Sequence, residues 1–441
     1  MTSYDLILRG GRIVSHAGEG EGDIGVSAGK IVAIGDLARA SGPVFEAKGL
    51  HILPGVIDTQ VHFREPGNPQ KEDLESGTRA AALGGVTGVF EMPNTSPPTT
   101  NPEAIADKLA RAKGRAHVDH AFYVGATHEN AHLLGELERL PGVCGVKTFM
   151  GSSTGTLLVG DDDGLDHILA NIRRRGAFHA EDEDRLNERK KLAREGDWTS
   201  HPEVRDDEAA LKAVQRLVAG ARKHKKRVHV LHVSSAKEME FLATAKDVAT
   251  VETLPQFLTF EGPEVYNRLH GFAQMNPPIR YAADRAALWS LGIAQSVVDI
   301  IATDHAPHTK EEKAQPYPKS PSGMPGVQTL VPVMLTHVNE GRLSLARFVD
   351  LSSAGPQRVF GIEGKGRIAL GYDADFTIVD MAARRVIRAA DQATRCGWTP
   401  FDGFEAKGWP MTTIIRGQIV MRDGEITTPS AGAPLRFLEA L

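Results

Sequence analysis

Cysteine is nearly missing from this sequence: Cys144 and Cys396 are the two among 441 residues. Two thiols cannot build a disulfide framework, and such usage suits a reducing compartment. Long apolar runs are missing as well, and none approaches the ~20 residues that cross a bilayer. The opening Met1-Thr2-Ser3-Tyr4-Asp5 has neither a basic n-region nor an apolar h-region, so a cytoplasmic protein without membrane attachment is expected. There is no large excess of charge of one sign. The net charge of −5 gives no reason to expect a nucleic-acid partner. A basic run, Lys223-His224-Lys225-Lys226-Arg227, is open to that reading, but it follows an amphipathic stretch from Ala210 to Ala221 and precedes an apolar run. That placement suits a solvated helix end.

What is present is an ordinary globular composition, 24% charged and 41% hydrophobic. The length suits one large barrel with an appendage, or two to three domains at ~150 residues each. Residues 1–53 read as short strands between glycine-rich turns, such as Asp5-Leu6-Ile7-Leu8 and Lys30-Ile31-Val32-Ala33-Ile34-Gly35. Residues 365–441 read alike, with Asp375-Phe376-Thr377-Ile378-Val379 and Thr413-Ile414-Ile415. Two strand-rich ends around a different middle predict a small β-sandwich domain built from both termini.

The middle, 54–364, alternates. Apolar runs recur at Ile57 to Phe63, Val86 to Pro93, His120 to Gly125, Gly145 to Met150, Gly176 to Ala180, Val228 to Ser234, Val248 to Leu254 and Val298 to Asp304. Helix-like stretches lie between most of them, among them Lys71 to Leu83, Pro102 to Ala112 and Glu208 to Lys223. Eight strands alternating with helices predict an α/β fold, a (β/α)8 TIM-like barrel. A doubly wound open sheet is the alternative. Polar residues gather at the C-terminal ends of the runs, where barrel enzymes place their chemistry, and this favours the barrel.

Those ends carry the candidate site. In Asp58-Thr59-Gln60-Val61-His62-Phe63-Arg64, residues 62 and 64 share one face of a strand, so a potential metal ligand and a potential anion clamp emerge together. Lys147 sits inside the apolar Cys144-Gly145-Val146-Lys147-Thr148-Phe149-Met150, where an ammonium is costly unless paired or neutralised. Taken alone, it could be a lysine that snorkels to solvent. His179 and His232 end the fifth and sixth runs, and imidazole is a common zinc ligand. His229 competes with His232, but the two face opposite ways on a strand, and His232 is nearer the C-terminal end. Asp304 ends the eighth run, before His305-Ala306-Pro307-His308.

Taken in order, these strand ends resemble the amidohydrolase superfamily and, within it, the dihydroorotases. Thr303-Asp304-His305-Ala306-Pro307-His308, Met92-Pro93-Asn94-Thr95, Asn276-Pro277-Pro278, Thr148 to Gly155 and Trp398-Thr399-Pro400-Phe401-Asp402-Gly403 all contribute to the resemblance. It implies one or two zinc ions and a carbon dioxide-derived carbamate on Lys147 bridging two metal positions. One position would take His62, Lys147 and Asp304, and the other Lys147, His179 and His232. It further implies Asp304 as general base, and Arg64, Asn94, Asn276 and His308 as substrate contacts, with Arg64, Asn94 and His308 on a carboxylate. The reaction implied is reversible hydrolysis of L-dihydroorotate to N-carbamoyl-L-aspartate in pyrimidine biosynthesis, by a homo-oligomer acting on a small molecule.

Gln60 departs from the pattern, since relatives carry a metal-binding histidine there. An amide oxygen is a poor zinc ligand beside imidazole. Either a weakened two-metal site or one tight metal follows. Two other readings stay open: another cyclic amidase (hydantoinase, dihydropyrimidinase or allantoinase), or an inactive structural partner of aspartate transcarbamoylase. Thr309 to Gly326, rich in Lys and Pro, reads as a mobile loop beside the site.

Overall fold

A computed structural model describes residues 3–153 and 155–438; Thr154, within one of the motifs quoted above, lies outside them. The centre is an eight-stranded sheet in which each strand pairs in parallel with the next. We number its strands β1 (Val56–Val61), β2 (Val86–Glu91), β3 (Asp119–Gly125), β4 (Val143–Phe149), β5 (Gly176–His179), β6 (Val228–Val230), β7 (Ala249–Thr253) and β8 (Ile300–Ile301). A parallel bridge between Val61 and His305 brings the two edges together, and His62 N donates to His305 O at 2.7 Å. The open-sheet alternative is thereby excluded.

The barrel strands read as continuous apolar runs because both of their faces are covered. Ile57, Phe90, Ala121, Tyr123, Ala177, Leu231 and Ile300 fill the interior, and Phe360 and Leu435 join the same cluster. Phe360 stands edge-on to Phe90, Tyr123 and His229. Phe437 packs edge-on against Phe90.

Two smaller sheets flank the barrel. A seven-stranded sheet interleaves the chain's ends: His51–Pro54 lies antiparallel to Phe376–Val386 and parallel to Arg12–Ser15. A four-stranded sheet comes wholly from the N-terminal segment. Lys365, 7% exposed, joins barrel to sandwich. Its ammonium meets Asp119 of β3 at 2.6 Å, Asp373 at 2.9 Å and Asp375 at 2.5 Å. Such a buried cation is tolerable because several carboxylates answer it.

Three sequence expectations change. The sixth and eighth strands stop short of Ser234 and Asp304, because His232 (φ 41°) and Asp304 (φ 49°) adopt left-handed backbone. The helix expected from Lys71 begins at Leu74, with Asp73 as its cap accepting from Ser76 N at 2.8 Å. The segment 365–441 is not wholly β-domain. Trp398 Nε1 donates to His308 O at 2.8 Å, and Leu435 N donates to His120 O at 2.8 Å, so this segment reaches both ends of the barrel.

Candidate active site

The C-terminal ends of the strands bring two clusters together, one on each side of Lys147. The first comes from β1 and the turn after β8. Asp304 Oδ1 receives Gln60 Nε2 at 2.9 Å and lies 3.0 Å from His62 Nε2. His62 Nδ1 lies 2.7 Å from Asn94 Oδ1. Beside them, Arg64 Nε donates to Pro307 O at 3.1 Å, and its NH2 lies 3.2 Å from His308 Nε2. Arg64 (φ 61°), like His232 and Asp304, has backbone that non-glycine residues seldom adopt. Such strain persists where the surrounding structure over-determines it, commonly at functional sites.

The second cluster comes from β5 and the turn after β6. His179 Nδ1 and His232 Nε2 face each other at 3.0 Å. His179 Nε2 lies 2.9 Å from Glu181 Oε2, and Arg205 clamps the same carboxylate. Burial alone would raise the Glu181 carboxyl, but Arg205 and His179 outweigh it and hold it well below the usual carboxylate range. Burial, the Lys147 charge and the neighbouring imidazole keep His232 far below the usual histidine value, so it is neutral with a lone pair to offer.

Lys147 is 1% exposed. Among the described residues no carboxylate lies within ion-pair distance of it, and its ammonium rests 4.5 Å from the Phe149 ring centroid. Burial lowers its pKa to about 7, against the pull of Asp304 and Glu252. Its charge acts on His62, His179 and His232, which places it electrically between the two clusters. Glu252 of β7 supports this floor: it accepts from Thr59 at 3.0 Å and from His232 N at 3.3 Å, and burial pushes its carboxyl up to about 8.

Among the described residues, no three His, Cys, Asp or Glu side chains form a metal-holding group. The candidate set itself includes Lys147 and Gln60, which are not of those residue types. The residues nevertheless fit a zinc ion. Two neutral imidazoles converge, a buried amine with lowered pKa stands by them, and Gln60 Oε1 is buried without a partner. His229 is a core residue instead, bonded to Thr250 Oγ1 at 2.9 Å and driven by burial to a pKa of about 3.

Asn276 joins neither cluster directly. Its Oδ1 accepts from His201 Nε2 at 3.1 Å, which also donates to Met275 O at 2.9 Å. His201 was not apparent from sequence, since it lies in no strand-end run. Lys71 was missed too. Its ammonium is 3.2 Å from His308 Nδ1 and 2.8 Å from Glu312. Both cations can only donate, so Lys71 at Nδ1 and Arg64 at Nε2 compete for the one lone pair of the neutral ring, while Ser322 O lies 3.0 Å from Nε2. The segment read as a mobile loop is anchored: Lys313 is fully buried and donates to Gln274 O, Pro321 O and Gly323 O at 2.9, 2.8 and 2.7 Å. Gly323 (φ 137°) lets that loop approach closely, since an added Cβ would collide with the Ala306 carbonyl.

Residues 51–420 match the amidohydrolase family model. A dihydroorotase from Methanosarcina mazei is 36% identical, with 99% of this chain and 98% of that protein aligned. An allantoinase from Rubrobacter xylanophilus is also 36% identical, over 99% of this chain and 98% of that protein. Among solved structures, the L-hydantoinase (dihydropyrimidinase) of Arthrobacter aurescens superposes with a TM-score of 0.93 at 28% identity, covering 98% of this chain and 99% of that one. Matched along nearly its whole length by fold and sequence, the chain belongs to the amidohydrolase family, as a hydrolytic enzyme of its cyclic-amidohydrolase branch.

Proposed function

We propose that the enzyme hydrolyses the cyclic amide of L-dihydroorotate, reversibly, to N-carbamoyl-L-aspartate. The observation that carries this reading is Arg64. It is 5% exposed, yet among the described residues no carboxylate lies within ion-pair distance. Burial lowers its pKa to about 10, a measure of how poorly the cation is compensated. The ring carboxylate of dihydroorotate supplies the missing partner as a charge-assisted, planar pairing. Asn94, His308 and Lys71 stand around the same position. Hydantoin, dihydrouracil and allantoin carry no such carboxylate. The dihydroorotase relatives support the reading, and the allantoinase relative is the reason to test it.

His179, His232 and Lys147 would hold zinc, and His62 and Asp304 stand opposite them. Zinc there supplies Lewis acidity, which lowers the pKa of water toward ~7 and polarises a carbonyl. With its pKa lowered to about 7, the Lys147 amine is available in its neutral form at neutral pH and can add carbon dioxide, forming an N–C bond and releasing one proton to solvent to leave an anionic carbamate. Asp304 accepts the proton from the attacking water and returns it to the ring nitrogen as the C–N bond breaks. Arg64 and His308 fix the ring by its carboxylate, so attack becomes effectively intramolecular.

The test is turnover by purified protein with zinc and bicarbonate on L-dihydroorotate, hydantoin, dihydrouracil and allantoin. The expected kcat/KM for dihydroorotate exceeds the others by about a hundredfold, the value of one well-made carboxylate clamp, roughly 3 kcal/mol. Preference for a carboxylate-free ring would overturn the substrate. Gln60 favours a second reading, an inactive partner of aspartate transcarbamoylase. Folded, metal-free protein that turns over none of the four and binds the transcarbamoylase would establish it.

A further inference from the structure

Position 60 holds a side chain that is neither a good ligand nor idle. Gln60 is 1% exposed, and its Nε2 donates to Asp304 Oδ1 at 2.9 Å. The amide turns its nitrogen, a donor, toward the Asp304 oxygen that accepts it. The amide oxygen then faces away, buried and without a partner. His62 Nε2 approaches the same Asp304 oxygen at 3.0 Å. Two nitrogens, one from β1 and one from just beyond it, therefore bracket one oxygen of Asp304.

The wider seam shows the same construction. β8 is two residues long, so backbone pairing alone gives little to close the barrel between β1 and β8. Side chains do it instead. Asp58 Oδ1 accepts from Thr303 N at 3.0 Å and Asp58 Oδ2 from Thr303 Oγ1 at 2.5 Å. Gln60 N also donates to Asp58 Oδ1, at 3.2 Å. Asp58 and Gln60 of β1, and His62 just beyond it, each reach toward the turn after β8. Gln60 is thus the middle rung of a cross-seam ladder that ends on the candidate base.

The second cluster is built differently. His179 and His232 turn nitrogens toward one another rather than toward a carboxylate of the seam, and they converge beside Lys147. Two facing imidazoles, both under the charge of Lys147, offer a donor set that does not include position 60.

We infer that Gln60 is a positioning residue that holds Asp304 by an amide hydrogen bond, and that this chain carries a single metal ion, on His179, His232 and Lys147. The inference rests on the reading of those three residues as ligands. In place of a second ion, the amide and His62 orient the base, so Asp304 keeps one oxygen on the seam and the other toward the reacting water.

Metal counting decides the matter without any substrate. Protein saturated with zinc and passed through gel filtration should retain one ion per chain. Titration of the metal-free protein with cobalt should saturate its visible absorption at one equivalent. Two ions retained, or none, would overturn the inference. Gln60→His should take up a second equivalent; if it stops at one, position 60 is not what sets the limit. Gln60→Leu should keep its one ion and its melting temperature within a few degrees. On whichever cyclic amide the enzyme turns over fastest, Gln60→Leu should lose about tenfold in kcat with KM unchanged, the mark of an oriented base rather than a supporting wall. Loss of the zinc in Gln60→Leu would show the amide to be a ligand and overturn the inference. Because the wild-type count reads out whether or not dihydroorotate is the substrate, failure here and failure of the substrate assignment remain distinct.

Discussion

The two halves of the site are alike in lying at the C-terminal ends of the barrel strands, yet they are chemically unlike. In the half made by Gln60, His62, Asn94 and Asp304, the side chains answer one another: amide to carboxylate, imidazole to carboxylate and to amide. In the half made by His179 and His232, two nitrogens converge and the outward side is held by Glu181 and Arg205. The first half mixes an amide, an imidazole and a carboxylate, whereas the second sets two imidazoles face to face.

The comparison can be broken most severely at Lys147, which both halves face. Lys147→Met removes the one side chain able to become an anionic bridge. It should abolish zinc retention and lower kcat/KM by about ten-thousandfold, since metal-ion catalysis supplies several kcal/mol. Retained zinc and turnover would mean that the halves function without it. Next comes the base. Asp304→Asn keeps the shape of the seam and should leave the second half's metal in place while cutting kcat about a thousandfold, within the span of general acid–base catalysis. If zinc left together with activity, Asp304 would belong with the ligands and the asymmetry would be false.

Arg64→Met sharpens the comparison on the substrate side. It should raise KM for dihydroorotate by about a hundredfold, the worth of a charge-assisted pairing, with little change for hydantoin. Equal effects on both substrates would point to a structural role. The mildest test lies beyond the second half, at His201, whose pKa burial and Arg205 lower to about 4. Its folded value is below the unfolded 6.5, so the folded state favours the neutral ring. That stability is present above pH 6.5 and is lost as the pH falls toward 4, by up to roughly 3 kcal/mol. In urea titrations at pH 7 and pH 4.5, His201→Gln should show a flatter acid dependence than wild type. An unchanged slope would remove His201 from the acid response.

Much of this was readable in advance because it is local. Each barrel strand announces itself as an apolar run, and Arg64, Lys147, His179 and Asp304 stand at the ends of such runs. What could not be read depends on partners far along the chain. Lys71 gains its meaning from His308 and Glu312, more than two hundred residues away, and His201 from Met275 and Asn276. The shortened sixth and eighth strands were hidden for another reason. His232 and Asp304 hold left-handed backbone without being glycine, a choice imposed by tertiary structure that residue type does not advertise. The loop after Asp304 looked mobile because lysine and proline usually mark exposed chain. Lys313 instead faces three backbone carbonyls inside the protein.

The tail that reaches the barrel from below has a consequence for how the molecule comes into being. Leu435 joins a cluster that begins with Ile57, and Phe437 leans on Phe90. The innermost core therefore draws on segments nearly four hundred residues apart. A chain emerging from the ribosome at ~5–20 residues per second must keep its first strands exposed for tens of seconds before that plug arrives. Such long-range pairing is slow and open to aggregation in the meantime. The interior closes only once the segment around Leu435 and Phe437 has been made and has docked.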